Sequence, residues 1–141
     1  HGDFHPLNVL VDGGRVSGVI DWTNLQIAPA EYDIARTFII LHDALFSVSR
    51  WLRPFAVAVR RLLASRYLAT YRRLRPVDPA RLTYSTVLTC TIMLVEAAEA
   101  ARDGRGQAWR DRAAASRLSA HIGRITGIDA SDLISSSPEA S

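Results

Sequence analysis

His1-Gly2-Asp3-Phe4-His5-Pro6-Leu7-Asn8 opens the chain, and its reading decides the rest. These residues fit the spacing His-x-Asp-x-x-x-x-Asn. In that pattern an Asp receives the proton of a substrate hydroxyl and an Asn holds a metal ion during phosphoryl transfer. Thirteen residues beyond Asn8 stands Asp21, within Ile20-Asp21-Trp22, where the same chemistry wants a metal-binding carboxylate. Each residue alone is weak testimony, since an Asp such as Asp3 is also a common turn former. The joint order of His1, Asp3, Asn8, a tight turn and Asp21 is what points to phosphoryl transfer.

The turn is Gly13-Gly14, which joins two β-rich runs, residues 8–12 and 15–21. A two-residue Gly-Gly connection predicts a hairpin, because the favoured tight turn needs positive φ at both positions. With Asp12 paired to Arg15, the count puts Asn8 opposite Val19. A period of two then sets Asn8, Val19 and Asp21 on one face. Diagonal neighbours of this kind are roughly 7–8 Å apart, a gap that bound Mg²⁺ can bridge.

Helical periodicity follows. Ile34, Phe38, Leu41, Leu45 and Val48 predict a helix over 30–48, with Glu31 and Asp33 in its first turn. Pro54 suits the start of a second helix reaching Leu74, with Phe55, Val59, Leu62 and Leu63 as its apolar face and arginines on the other. Asp78-Pro79 reads as an N-cap and first-turn pair. It opens a third, more buried helix to Arg102, which Gly104 and Gly106 end. The last helix spans 107–126, carries Trp109 and stops at Gly127. The expected fold is mainly α with a small N-terminal β-hairpin. Residues 1–128 form one unit, comprising a catalytic loop (1–8), a metal-site hairpin (8–21) and a helical bundle (30–126). Residues 129–141, rich in Ser, read as a solvated tail.

With 141 residues, 48% hydrophobic and 22% charged, the composition is that of a globular protein with one core. The longest apolar stretch, Val87 to Ala98, is broken by Thr89, Thr91 and Glu96 and is too short to span a bilayer. No signal-peptide pattern is visible, and the lone cysteine, Cys90, reads as an inert core thiol, so a cytoplasmic location is expected. The net charge of +3 rests on 17 arginines without a single lysine. The arginine-rich face of the second helix, with no interleaved aromatics, reads as solvated rather than as a nucleic-acid surface. Kinases grip nucleotide phosphates with a Lys and a glycine-rich loop. Neither occurs here, so the expectation is an N-terminal lobe supplied in cis.

Taken with Val9-Leu10-Val11, Gly18-Val19-Ile20-Asp21-Trp22 and Tyr32-Asp33-Ile34-Ala35, the opening motif resembles the aminoglycoside phosphotransferase family, related to choline kinases and more distantly to protein kinases. The resemblance implies the C-terminal helical lobe of a protein-kinase-like α+β fold, with ATP and Mg²⁺ as cofactors and a small-molecule hydroxyl acceptor. It makes Asp3 the catalytic base, Asn8 and Asp21 the Mg²⁺ ligands, and Asp33 the brace of the loop. His1 would fix the loop by packing and hydrogen bonding, and His5 would order it. His42 and His121 carry no expected function. Glu96, Glu99 and Asp103 share one helix face and are the candidate substrate wall, with a plain solvated face as the rival. The alternative to an enzyme lobe is a binding module without turnover. Val9, Val11 and Val19, stripped of a neighbouring lobe, would drive self-association as a homodimer unless a longer molecule covers them.

Overall fold

The computed structural model of the chain describes residues 1–44, 50–102 and 112–128. A 3-10 turn, Pro6–Asn8, leads into β1 (Val9–Asp12) and β2 (Arg15–Val19). The helices are α1 (Ala30–Ile39), α2 (Arg53–Leu74), α3 (Pro79–Arg102) and α4 (Arg112–Thr126). The molecule is thus mainly helical with one two-stranded antiparallel hairpin at its N-terminus.

Gly13 and Gly14 adopt φ of 55° and 75°, the doubly positive turn that only glycine enters freely. Asp12 pairs with Arg15 as expected, but the register then slips. Val11 faces Val16 and Leu10 faces Gly18, leaving Ser17 as an extra residue, so that Val9 rather than Asn8 lies opposite Val19. A bulge of this kind reverses the period-two parity beyond it. The shared face expected for Asn8, Val19 and Asp21 therefore does not arise from strand pairing. Asn8 ends the 3-10 turn, and Asp21 lies beyond β2 with φ 61°.

The core forms where α1 packs on α3 and α3 on α4. Ile34 and Ile39 of α1, Cys90 and Met93 of α3, and Leu118 and Ile122 of α4 are buried. Burying each such side chain is worth about 1.5–3 kcal/mol. Burial also pushes the Cys90 thiol up to about 12, so it stays protonated and unreactive. Asp78 caps α3, accepting the amides of Ala80 and Arg81 at 2.9 and 3.3 Å. Glu31 of α1 takes the Asp78 amide at 3.2 Å, tying the first helix to the α2–α3 break.

Two expectations about the helices need correction. After Ile39 the chain widens into a π turn, Ile40–Ala44, instead of running on as α-helix to residue 48. Leu45 and Val48 lie outside the described residues. The wider turn buries Ile40, Leu41 and Asp43 together. On α2 the expected apolar face is largely open, with Phe55 at 70% and Leu62 at 55% exposure, and only Ala64 is buried among the described residues of that helix. A groove of about 610 Å³ runs beneath the hairpin between the opening loop, α1 and α2. Its lining includes Phe4, Val9, Val11, Leu63, Tyr67 and Leu74. The termination of α3 at Gly104 and Gly106, and Trp109, fall outside the described residues, as does the Ser-rich tail.

The π turn carries a buried ionic cluster. Asp43, 3% exposed, has Oδ2 at 3.0 Å from His121 Nε2, and Oδ1 at 3.0 Å from His42 Nδ1 and 3.3 Å from Arg117 Nε. The Asp43 carbonyl accepts Arg117 at 2.9 Å and Arg60 at 3.5 Å, so the one residue joins α2, α4 and the π turn. Three ligand-type atoms of His42, Asp43 and His121 lie within 4.8 Å of one another, close enough in principle for a metal ion. The hydrogen bonds assign them otherwise. Arg124 sits 3.0 Å from His121 Nδ1 and can only donate, so the ring proton is on Nε2, facing Asp43, and no lone pair remains there for a cation. Arg117 already supplies the positive charge.

Burial alone would raise the Asp43 pKa, but the hydrogen bonds from His121 and His42 outweigh it and hold the carboxyl well below the usual carboxylate range. A depressed native pKa stabilises the fold above the unfolded value of about 4 and loses that contribution as pH falls towards the native one. Asp43→Asn should cost about 3–5 kcal/mol at pH 7, the usual penalty for breaking a buried pair. It should also flatten the loss of stability on acidification below pH ~4. Urea melts at pH 7 and pH 3.5 check both.

Candidate active site

The loop from His1 to Asn8 has little regular structure, so its polar groups must be satisfied from outside. The first support comes from α1. Asp33 Oδ1 accepts the Gly2 amide at 2.7 Å and lies 3.4 Å from the His1 main-chain nitrogen. Asp33 stands in the first turn of a helix whose next residues, Ile34 and Ala35, are in the core, so the carboxylate is fixed by the packing behind it.

The second support is the His1 ring. Its Nε2 lies 3.0 Å from the Ile20 carbonyl and its Nδ1 accepts the Asp3 amide at 3.3 Å. One neutral tautomer, protonated at Nε2, satisfies both contacts. Trp22 covers the ring at a centroid distance of 4.4 Å and anchors its own indole N–H on the Val19 carbonyl at 2.8 Å. Ile20 also donates its amide to the Asn8 carbonyl at 2.9 Å. The Ile20 main chain therefore joins the residue before Asp21 to both ends of the opening motif. This contact replaces the strand parity that the bulge removed.

Asn8 is buried, and its Nδ2 donates to the Asp3 carbonyl at 2.9 Å. A carbonyl can accept only the NH₂ side of the amide, so Oδ1 is left free as an oxygen ligand. Asp21 is exposed and held at φ 61°, a left-handed conformation that Asp tolerates better than most residues and that is enriched at functional sites. An amide oxygen and a carboxylate are the hard donors that Mg²⁺ prefers, so the residues present fit that ion. Asp3 is one-quarter exposed, with Oδ2 at 3.7 Å from His5 Nε2. That is too long for a hydrogen bond. His5 Nδ1 is buried without a hydrogen-bond partner.

The acidic stripe of α3 does not line the groove beside the loop. Glu96 is 3.6 Å from Arg36 in an ion pair across α1 and α3, and Glu99 is exposed. Asp103 falls outside the described residues. What the sequence reading missed is the backbone part of the site. Gly2 has φ 75°, and a Cβ there would stand 2.5 Å from the Asn24 carbonyl. Its place between His1 and Asp3 was the only available signal. Gly2→Ala should therefore cost about 1–3 kcal/mol of local stability through the left-handed strain, beyond the clash with the Asn24 turn. Faster amide exchange at Ile20, with the helical core unchanged, is the expected readout.

Comparison with known proteins agrees with this geometry. The sequence model of the phosphotransferase enzyme family matches residues 1–77. Uncharacterized protein YcbJ of Bacillus subtilis (strain 168) is 33% identical over 92 residues, covering 61% of this chain and 28% of that protein. The Hygromycin-B 4-O-kinase of Escherichia coli is 42% identical over 38 residues, covering 27% of this chain and 11% of that enzyme. The chain thus spans less than a third of either relative's length. No solved structure matches it. With the opening loop, the hairpin and the first two helices all inside the matched region, the chain belongs to the phosphotransferase enzyme family, of the aminoglycoside phosphotransferase type.

Proposed function

We propose that this chain is the helical lobe of a kinase-like fold whose whole protein transfers the γ-phosphoryl group of ATP to a hydroxyl of a small molecule. The observation that carries the reading is the opening loop. Asp3 is held at its main chain by His1, and the Asn8 amide is turned so that its oxygen is free. The relative named as a 4-O-kinase makes a hydroxyl the acceptor group of choice. In the reaction, the Asp3 carboxylate takes the proton of the acceptor hydroxyl as its oxygen forms a bond to the γ-phosphorus. The bond from that phosphorus to the β–γ bridging oxygen breaks, and ADP leaves. Asn8 Oδ1 and the Asp21 carboxylate would hold Mg²⁺, which when bound neutralises phosphate charge. Asp33 and His1 act before the chemistry, by fixing where Asp3 sits.

The 17 basic residues are all arginine, so the lysine that grips the phosphates, and the loop that covers them, belong to an N-terminal lobe of the whole protein. The 141-residue chain alone should therefore show no ATP-dependent phosphorylation. In the full-length protein, Asp3→Ala should lower kcat by about 10²–10⁴ while leaving most nucleotide affinity intact. Transfer of labelled phosphate, with hygromycin B as the first acceptor, is the assay. Turnover by the isolated chain, or an active Asp3→Ala protein, would sink the reading.

One observation favours the second reading, a module that binds without turnover: the apolar groove beside the loop. Val11 and Leu74, at 65% and 77% exposure, leave it open to a partner or a second copy. Under that reading the bare chain self-associates in light scattering and binds an apolar dye. A dye-silent monomer would remove its support.

A further inference from the structure

Asp21 is followed by a tight turn. The Leu25 amide donates to the Trp22 carbonyl at 3.1 Å, and Trp22 is pinned at its indole by Val19 and at its ring by His1. Thr23 sits inside this turn, and its hydroxyl reaches back to donate to Asp21 Oδ1 at 2.7 Å. The fold gains little from that bond, because both side chains are exposed and water would serve either of them. What it does is select one orientation of the Asp21 carboxylate, whose terminal torsion is otherwise broad.

The geometry points to Thr23 as a positioning residue for divalent-cation binding, holding the Asp21 carboxylate in the orientation that receives the ion. The inference rests on the reading of Asn8 and Asp21 as the Mg²⁺ pair. A carboxylate has about four lone-pair sites. Thr23 occupies one of them on Oδ1, and Oδ2 has no hydrogen bond among the described residues. The hydroxyl therefore fixes the ligand without filling its open side. Ligating carboxylates are commonly held this way by a neighbouring donor, and losing that donor typically weakens metal affinity by about 10–100-fold. Asp21 needs such help more than most ligands. It is exposed on a left-handed residue beyond the end of β2, where no packed side chain restrains it. Asn8, by contrast, is buried and held by the Asp3 carbonyl. The two ligands are thus oriented by different means: one by burial, the other by a single hydroxyl.

The test uses Mn²⁺ as the probe on the 141-residue chain, read by paramagnetic broadening of the Trp22 indole N–H resonance. Thr23→Val should raise the Mn²⁺ dissociation constant by about 10-fold with the melting temperature unchanged. Thr23→Ser, which keeps the donor, should restore wild-type binding. Asp21→Asn separates the two levels of inference. If Asp21→Asn abolishes the broadening and Thr23→Val leaves it at the wild-type value, the role of Thr23 is wrong and the metal pair stands. If Asp21→Asn binds Mn²⁺ like wild type, or the wild-type chain shows no broadening, the metal pair itself falls and Thr23 with it. Weakening by Thr23→Ser equal to that by Thr23→Val would also overturn the proposal, since the donor would then not be what matters.

Discussion

The hydrogen bond from the Gly2 amide to Asp33 couples the chemistry-bearing loop to the part of the molecule that has a core. The loop contributes few buried apolar side chains of its own, and although His1 and Asn8 hold the Asp3 main chain, the loop as a whole needs an anchor outside itself. α1 can hold it because its opposite side is sealed against α3, with Ile34 and Ile39 essentially inaccessible to solvent. A rigid helix thus fixes a carboxylate, the carboxylate fixes a backbone amide, and the catalytic candidate is the next residue along. The 2.7 Å length and the position of Asp33 in a helical first turn make this bond a directional constraint rather than a general attraction.

Ile20 supplies the complementary constraint from the hairpin. Its carbonyl faces His1 and its amide is held by Asn8, so the strand exit and the loop cannot drift independently. Side chains carry only part of the information for such a site. His1, Asp3, Asn8 and Asp21 stand out in the sequence because phosphoryl transfer needs those groups in that order. The main-chain contacts that bring them together use atoms every residue possesses, and leave no trace in a one-dimensional pattern.

That difference explains what was legible. The Gly13-Gly14 turn, the Asp78-Pro79 start of α3 and the stop at Gly127 were readable because each imposes a local backbone requirement. The Ser17 bulge was not, since an extra residue in a strand costs little and its sequence is unremarkable. The exposure of Phe55 and Leu62 was equally hidden, because periodicity says which residues share a face and not whether anything covers it. The cluster around Asp43 was missed because a π turn breaks the count that would have aimed it. The one available signal was on α4, where Arg117, His121 and Arg124 follow at i, i+4 and i+7 on a single face. Of that row, Arg117 and His121 are the two that meet Asp43.

The family model matches residues 1–77, and α3 and α4, which lie beyond that match, provide most of the buried core. Their contribution to the site is indirect. α3 covers the far side of α1, and α4 closes on α3 while its Arg117 and His121 hold the π turn through Asp43. None of these contacts needs a particular chemistry at the acceptor, and none places a side chain beside Asp3. In the loop and at the start of α1, Gly2, Asp3, Asn8 and Asp33 each meet a geometric demand that few other residues satisfy. The supporting helices, by contrast, have to supply only volume, burial and a matched internal charge.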